Sequence, residues 1–240
     1  IFNISGWVTL YDARDDWEEF SKVDMAKWYE QNAEKYILAN CDASFTISAP
    51  LQKKLQSWVN QRKVYLTPNA YDTNFIKDKF VSVKKENARK IAGYFGHLTD
   101  KWFDWDALIE VAKMKTDWDF ELIGHQEPKN LVLPSNMKIL GKKNHAEINK
   151  IASRWNVAII IFKINELSAA VDPIKIYEYL ALELPTVSYV MPQIHDYPYT
   201  FIASNPQEFS DQLEKAGDII IDKNKIWDFL NVNRWEDRVQ

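Results

Sequence analysis

VAIIIF at 157–162, followed by DPIKIYEYLA at 172–181, is the stretch of sequence that decides the fold. An apolar run of this length is typical of a strand that is buried on both faces of a parallel sheet. Asp172 is a favoured N-cap and Pro173 a favoured first helical residue, so the sequence predicts that a helix begins here. A strand followed by a helix is the repeating unit of a parallel α/β sheet.

The same alternation continues along the chain in both directions. Further apolar runs of strand length lie at 7–11, 43–47, 63–67, 90–95, 119–123, 137–140, 185–190 and 200–203. Segments with helical periodicity lie between the runs, at 24–40, 50–60, 103–115, 145–155, 173–183 and 206–216. The pattern predicts an α/β fold, with a Rossmann-like parallel sheet, helices on both faces and right-handed crossovers.

A polar stretch without apolar periodicity, residues 77–90, is predicted to be an interdomain linker. About three predicted strands precede it, too few for an ordinary doubly wound sheet of roughly 5–6 strands, and about six follow it. We therefore predict a partial Rossmann-like domain at 1–76, a complete one at 91–222 and a tail at 223–240. Because the chain opens on Ile1 and almost directly enters a strand-like run, we expect sequence to be missing upstream.

The composition argues against several classes of protein. Lys and Arg number 30 against 34 Asp and Glu, a net charge of -4, so we expect no nucleic-acid partner. The single cysteine, Cys41, and the four histidines lack the spacing of zinc ligands, so we expect no zinc site among them. His145 is expected to be a polar loop residue, and it follows Asn144, which with Glu147 resembles a helix capping box. No apolar run reaches the ~18 residues that cross a bilayer. These features predict a cytoplasmic protein.

The run GYFGHL at 93–98 places glycines at the carboxyl end of a predicted strand. Open α/β sheets bind ligands at that edge, and glycine lets the backbone approach a ligand closely. The run lacks the Gly-x-Gly-x-x-Gly fingerprint of dinucleotide sites, and a tight turn is the alternative interpretation.

Lys175 and Glu178 share one face of the helix predicted at 173–183, because they are three residues apart. Helix N-termini after parallel strands bind phosphate groups. A cation there can neutralise a diphosphate, and a carboxylate one turn deeper can accept hydrogen bonds from a ribose diol. An ordinary surface ion pair is the alternative interpretation.

Arg14, Asp15, Asp16 and Trp17 follow the first predicted strand. Adjacent carboxylates at the end of a strand can act as a general base or bind a metal. Acidic residues are also common in turns for capping and solvation alone, and the sequence leaves both interpretations open.

The stretches above, with others in the same order, resemble bacterial GT-B glycosyltransferases related to family 4, of the polysaccharide and teichuronic-acid type. The strongest likeness lies in Phe162–Ser168, Asp172–Ala181 and Leu184–Val187. Weaker matches are Tyr11–Asp12, Asp15–Trp17, Phe45–Ser48, Pro68–Asp72, Tyr94–Leu98, Lys101–Trp105, Phe120–Gly124 and Ile139–Gly141. The resemblance implies a donor domain at 91–222, the distal part of an acceptor domain at 1–76, and a tail that crosses back to that N-terminal domain.

The resemblance also implies roles for particular residues. Glu178 stands where relatives hold the ribose hydroxyls, and Lys175 is a candidate for the diphosphate. The full implied set of donor-binding residues is Gly96, His97, Lys101, Asn144, Ile148, Lys175, Glu178 and Tyr179. Arg14 and Asp15 stand near the turn where relatives place a catalytic histidine, and with Lys175 they are the implied catalytic residues.

The implied reaction moves a sugar from a UDP-, GDP- or dTDP-sugar to a saccharide or lipid-linked acceptor, with retention and without a cofactor or a bound metal. The resemblance leaves open a peripheral association with the inner face of the membrane through upstream sequence. Four residues depart from the family's pattern: Ala170 replaces a carboxylate, Glu183 a glycine, Thr186 a valine and His97 an arginine. These departures keep two alternatives open, a catalytically silent module that binds sugar nucleotide or glycan, and a sugar-nucleotide epimerase.

Overall fold

The computed structural model describes residues 6–59, 62–75 and 89–238, which form two compact units. Unit 1 comprises Ile1–Asn69, Asn165–Asp172 and Met191–Gln193, and unit 2 comprises Ala70–Ile164, Pro173–Val190 and Ile194–Gln240. Two short segments of the domain predicted at 91–222 are therefore grouped with unit 1. Residues 77–88 of the predicted linker lie outside the described residues.

Unit 1 is built on a parallel three-stranded sheet of order β1-β2-β3, with β1 at Leu10–Ala13, β2 at Ala43–Thr46 and β3 at Val64–Leu66. Its helices are α1 (Trp17–Lys22), α2 (Gln31–Asn40), α3 (Ala49–Gln56) and α6 (Glu166–Ala169). The core contains Ala13, Leu38, Ile47, Leu51, Leu55, Val59, Val64 and Ala170. Ala170 therefore completes a core whose other members lie more than a hundred residues earlier in the chain.

Unit 2 is built on a parallel six-stranded sheet of order β6-β5-β4-β7-β8-β9. The strands are β4 (Lys90–His97), β5 (Trp118–His125), β6 (Met137–Ile139), β7 (Val157–Ile160), β8 (Thr186–Tyr189) and β9 (Thr200–Ala203). The helices are α4 (Trp105–Met114), α5 (His145–Ala152), α7 (Ile174–Ala181), α8 (Pro206–Asp218), α9 (Lys223–Asn231) and α10 (Trp235–Arg238). A 3₁₀ turn at Pro192–Ile194 begins in unit 1 and ends in unit 2. Taken in chain order, this is the 3-2-1-4-5-6 order of a Rossmann sheet.

All nine predicted strands are present, and the predicted Rossmann-like fold is confirmed. The helix predicted at 24–40 is wrong in its first part, because α2 begins only at Gln31. Asp24 has a φ of +60°, a left-handed conformation that cannot continue a right-handed helix. The short helices α1 and α6 and the tail helices α9 and α10 are absent from the prediction.

The tail is grouped with unit 2, where Arg234 pairs with Tyr71 in a parallel β-bridge. Trp227 packs edge-on against Tyr71 at 6.3 Å, and Phe229 stacks on Tyr177 at 6.0 Å. Ile226 and Leu230 of the tail are buried, whereas Trp227 and Phe229 stay partly exposed. The return of the tail to the N-terminal domain stays a prediction.

Candidate functional site

The carboxyl end of β4 lies at the topological switch point of the six-stranded sheet, because β5 and β7 flank β4. Gly96, near this end, has a φ of +147°, a conformation that residues with a side chain rarely adopt. A Cβ atom at Gly96 would also lie 2.9 Å from Nζ of Lys175 and would collide with its Cε atom. Glycine is therefore favoured here by the backbone conformation, and a side chain would also force Lys175 to move.

Helix α7 begins without a side-chain cap. Its N-cap is Pro173, so the prediction that Asp172 caps the helix is wrong. Within unit 1, the Asp172 carboxylate instead accepts a hydrogen bond from the backbone N–H of Asn69 at 2.7 Å. The Asn69 side-chain amide donates a second bond, at 2.6 Å, to the Asp172 carbonyl. The N-cap residue of α7 thus supplies no side-chain acceptor, and helix N-termini can bind anions through their first N–H groups.

Lys175, in the first turn of α7, places its ammonium 5.8 Å from the ring centroid of Tyr94. Among the described residues, this ammonium has no hydrogen-bond or ion-pair partner. Burial lowers the pKa of Lys175, and the nearby Glu178 carboxylate only partly opposes that shift. A charged group held in this way gains free energy from any anion that reaches it.

Glu178 lies one turn deeper on α7 and is partly buried. Burial raises the pKa of Glu178, Lys175 and His145 act to lower it, and Asp72 acts to raise it. Its carboxylate, too, lacks a hydrogen-bond partner within the part of the chain that the structure describes. Lys175 and Glu178 are therefore coupled without forming the surface ion pair of the alternative interpretation.

Tyr179 is fully buried, and its hydroxyl accepts a hydrogen bond from the backbone N–H of Phe95 at 3.3 Å. Its ring packs edge-on against the Phe95 ring at 4.9 Å. This location differs from the direct ligand contact that the resemblance implies, because a side chain with no exposed surface cannot touch a ligand. We interpret Tyr179 as a residue that positions the end of β4.

His97 and Lys101 follow Gly96 at the same edge of the sheet. His97 is exposed and its Nδ1 atom lies 3.0 Å from Oε1 of Gln126. The His97 ring lies 4.7 Å from that of His125, its register partner on β5. Lys101 is half-buried, and its backbone N–H donates to the Thr99 hydroxyl at 3.4 Å. Binding of diphosphate by His97 and Lys101 stays a prediction.

Asn144 caps α5 through the predicted capping box with Glu147, which the structure confirms. The Asn144 side chain accepts from the Glu147 N–H at 2.9 Å, and the Glu147 carboxylate accepts from the Asn144 N–H at 3.0 Å. Ile148 is half-buried on the same helix. His145, which sequence reasoning placed among polar loop residues, is the first residue of α5 and acts on the charge of Glu178. The contribution of Asn144 and Ile148 to a base-binding surface stays a prediction.

Arg14 and Asp15 follow β1 in unit 1. The Arg14 guanidinium donates to Oδ1 of Asn69 at 2.7 Å and pairs with Asp12 at 3.2 Å, so protein groups already engage it. The Asp15 carboxylate has no such partner among the described residues. Burial raises the pKa of Asp15 to about 6, against the opposing effect of Arg14 and with a smaller contribution from Asp16.

Asp16, Glu18 and Glu19 bring carboxylate oxygens within 4.8 Å of one another, an arrangement that could hold a metal ion. The Lys54 ammonium lies among them, 2.7 Å from Asp16 and 2.8 Å from Glu18. Asp16 also caps α1 by accepting from the Glu19 N–H at 3.1 Å. We interpret the cluster as a lysine-neutralised helix start, which agrees with the capping interpretation of these turn residues.

None of the helices in the described ranges is long and apolar enough to cross a membrane. No family model matches the sequence, and the search of curated proteins found no match.

Solved structures do match. Sucrose-phosphate synthase from Thermosynechococcus elongatus aligns with a TM-score of 0.71 at 13% identity, over 95% of this chain and 64% of that one. Anabaena HepE in complex with UDP-glucose aligns at 0.67 and 14%, over 96% and 68%. The lipopolysaccharide outer core galactosyltransferase WaaB aligns at 0.65 and 11%, over 87% and 62%. The chain has the GT-B fold of glycosyltransferases. It spans less than two thirds of the sucrose-phosphate synthase and WaaB chains that it matches.

Two departures from the family's pattern have a structural explanation in this GT-B chain. Ala170, at the position of the missing carboxylate, is only 5% exposed and packs into the core of unit 1. Glu183, at the position of the usual glycine, has a φ of +54°, which explains why glycine is favoured there. Position 170 therefore offers no carboxylate to a ligand, whereas Glu183 stands where α7 ends.

Sequence reasoning missed two contacts of candidate residues: that of Asn69 with Asp172 in unit 1, and the effect of His145 on Glu178 in unit 2. Asn69 binds Asp172, and the two are separated by 103 residues, so no local pattern reveals the contact. His145 reaches Glu178 electrostatically only because α5 and α7 belong to the same unit. A signal did exist for His145, since it follows the predicted cap Asn144.

Proposed function

We propose that this chain is a glycosyltransferase that moves a sugar from a nucleoside-diphosphate sugar to a saccharide or lipid-linked acceptor in glycan synthesis. One observation carries the proposal: Lys175 and Glu178 lie on the first turns of an uncapped helix, partly buried and without polar partners among the described residues. Burial lowers the pKa of Lys175 and raises the pKa of Glu178, so it favours the neutral form of each group. A diphosphate beside Lys175 and a ribose diol beside Glu178 would restore the charged form of each.

In the proposed reaction, the bond between the sugar's anomeric carbon and the diphosphate oxygen breaks as the bond to the acceptor oxygen forms. The Lys175 ammonium and the N–H groups of α7 stabilise the charge that develops on the leaving diphosphate. His97 and Lys101 assist them. The leaving phosphate oxygen takes the acceptor's proton on the same face, which gives retention. The reaction needs no metal, because these groups supply the positive charge.

On the acceptor side, we assign Asp15 to orient the acceptor hydroxyl. Its carboxylate is unpaired within the described residues, whereas Asn69 and Asp12 already hold Arg14. We assign Arg14 to position this turn. Retention and the relation to family 4 rest on the resemblance of the signature stretches, and a cytoplasmic location rests on the composition of the sequence. Support for the donor class comes from HepE, whose structure contains UDP-glucose.

Calorimetric titration with UDP, GDP and dTDP tests the donor site. Replacing Glu178 by Ala should weaken binding of the best nucleotide by roughly 1–3 kcal/mol, the cost of leaving ribose hydroxyls unpaired in a partly buried site. Glu110 is an exposed carboxylate on α4, so Glu110→Ala is the matched control and should bind the nucleotide like the parent. Equal affinity of the Glu178→Ala and parent proteins would contradict the donor site.

Acceptor-dependent release of nucleoside diphosphate from a panel of sugar nucleotides tests the transfer step. The anomeric configuration of the product, read by NMR, then tests retention. A product with the inverted configuration would leave the donor site standing and refute the front-face mechanism.

The alternative of a catalytically silent binding module is favoured by Ala170. Its side chain is packed in the core, so position 170 offers no carboxylate to grip the donor sugar. This alternative predicts nucleotide binding that depends on Glu178 together with no diphosphate release for any acceptor. Conversion of a UDP-sugar without an acceptor would instead indicate an epimerase.

A further inference from the structure

An aromatic surface lies directly after the carboxyl end of β1 in unit 1. The rings of Trp17, the first residue of α1, and Trp28, in the loop before α2, lie 5.3 Å apart at an angle of 55°. Phe20 packs against Trp17 at 5.9 Å. Trp28 is 69% exposed and Met25 is 42% exposed. Grouped apolar exposure of this kind marks an interaction surface, whereas single exposed residues need no explanation.

Polar side chains border this surface. The Glu18 carboxylate accepts a hydrogen bond from the Gln31 amide at 3.3 Å and pairs with the Lys54 ammonium at 2.8 Å. That lysine is the main cause of a lowered pKa at Glu18, which keeps the carboxylate ionised near neutral pH. The surface therefore combines flat aromatic faces with a fixed carboxylate and an amide.

The charge around the rings argues against a membrane as the occupant. Residues 17–30 contain four acidic and two basic side chains, so anionic lipid headgroups would be repelled. The charged border also differs from the core of a protein interface, where charged residues are depleted. A neutral saccharide fits better, because its C–H face is attracted to the negative face of an aromatic ring and its hydroxyls bind carboxylate and amide groups.

We propose that Trp17 and Trp28 form the platform on which the saccharide acceptor stacks, with Glu18 and Gln31 binding its hydroxyls. The identification of this saccharide as the acceptor rests on the proposed function. Asp15 precedes Trp17 by two residues, so the platform begins beside the carboxylate assigned to orient the acceptor hydroxyl. The platform thus restricts the acceptor class to molecules that carry a sugar ring.

Binding of maltohexaose, cellohexaose and chitohexaose to the whole chain, measured by calorimetry, tests the platform without requiring turnover. At least one should bind, and Trp28→Ala should weaken that binding at least tenfold. Trp7→Ala is the matched control, because Trp7 is 75% exposed in the same unit but lies outside the platform. It should leave saccharide affinity unchanged.

Absence of binding to all three saccharides, or equal affinity in Trp28→Ala and the parent, would overturn the platform. Sedimentation with phosphatidylglycerol vesicles that is lost in Trp28→Ala would also overturn it, in favour of a membrane surface. A parallel titration with UDP separates the two proposals. Normal UDP binding without saccharide binding rejects the platform alone, whereas saccharide binding without UDP binding rejects the proposed donor site.

Discussion

Glu183 ends α7 in a left-handed conformation, and the effect of changing it can be predicted closely. Its N–H donates to the Leu180 carbonyl at 2.8 Å, and the N–H of Leu184 donates to the Tyr179 carbonyl at 2.9 Å. These are the two hydrogen bonds of a Schellman motif, in which the residue at the Glu183 position is usually glycine. A residue with a Cβ atom is disfavoured in this conformation by roughly 1–2 kcal/mol. The Glu183 carboxylate offsets part of that cost by pairing with Lys223 at 2.7 Å.

Replacing Glu183 by Gly and by Ala separates the backbone effect from the ion pair, because both variants lose the contact with Lys223. Glycine removes the strain of roughly 1–2 kcal/mol but adds about 0.5–1 kcal/mol of unfolded-state entropy. Glu183→Gly should therefore be more stable than Glu183→Ala by about 1 kcal/mol. At Glu110, in the middle of α4, the order should reverse, with Ala more stable than Gly by about 1 kcal/mol.

Thermal and urea denaturation of the four variants measures both differences. A change of 1 kcal/mol corresponds to about 2–4 °C in the melting temperature of a chain of this size. The reasoning fails if Ala is as stable as Gly at position 183, since the backbone would then carry no strain there. It also fails if Gly is preferred at Glu110, because the comparison would then report something other than the left-handed conformation.

Three further outcomes are expected. The pKa of Asp15 is about 6 in the folded protein and near 3.8 in the unfolded chain. Asp15 therefore contributes to stability in its protonated form, and this contribution is lost as the pH rises from about 3.8 through 6. Asp15→Asn should thus be more stable than the parent at pH 7.5, by on the order of 2 kcal/mol, and this difference in stability should shrink toward pH 4. A difference that stays constant in urea titrations across this pH range would contradict the raised pKa of Asp15. Asp172→Ala should lower the stability by about 1–3 kcal/mol, because it leaves the buried Asn69 N–H unpaired. The control variant Asp104→Ala removes a residue that does cap its helix, α4, and should lower the stability by only ~1 kcal/mol. Equal melting temperatures for the two variants would refute the contact assigned to Asn69. Lys175→Met should remove the thermal stabilisation that saturating UDP gives the parent, while the melting temperature of the variant without UDP should stay the same or rise. A melting temperature that UDP raises as much in the variant as in the parent would exclude Lys175 from the nucleotide site.

The strands were predictable because strands buried in a parallel sheet read as continuous apolar runs, and every such run became a strand. Helix ends were less predictable, because they depend on single residues. Asp24 interrupts the helix predicted at 24–40 through a positive φ, and that conformation leaves little trace in the sequence. Asp172 is a residue type that often caps helices, yet its carboxylate accepts a hydrogen bond from the backbone N–H of Asn69 in unit 1.

The pairing of Lys175 with Glu178 on one helix face followed from spacing alone. That both groups would be partly buried and unpaired did not, since burial depends on how β4, α5 and α7 pack. Tyr179 shows the same limit, because the spacing that places it beside Glu178 also turns it fully into the core. Local sequence predicts which residues share a face, and only packing decides which of them a ligand can reach.

The position of Ala170 in the core of unit 1 also affects how the chain folds during its own synthesis. The other residues of that core have all been made once Val64 has been added, but Ala170 can pack against them only after position 170 leaves the ribosome. At about 5–20 residues per second, the intervening hundred or so residues take roughly 5–20 s to make. Strands β4 to β7 are translated within that interval, so the core of unit 1 acquires its last member only after half of unit 2 has been made.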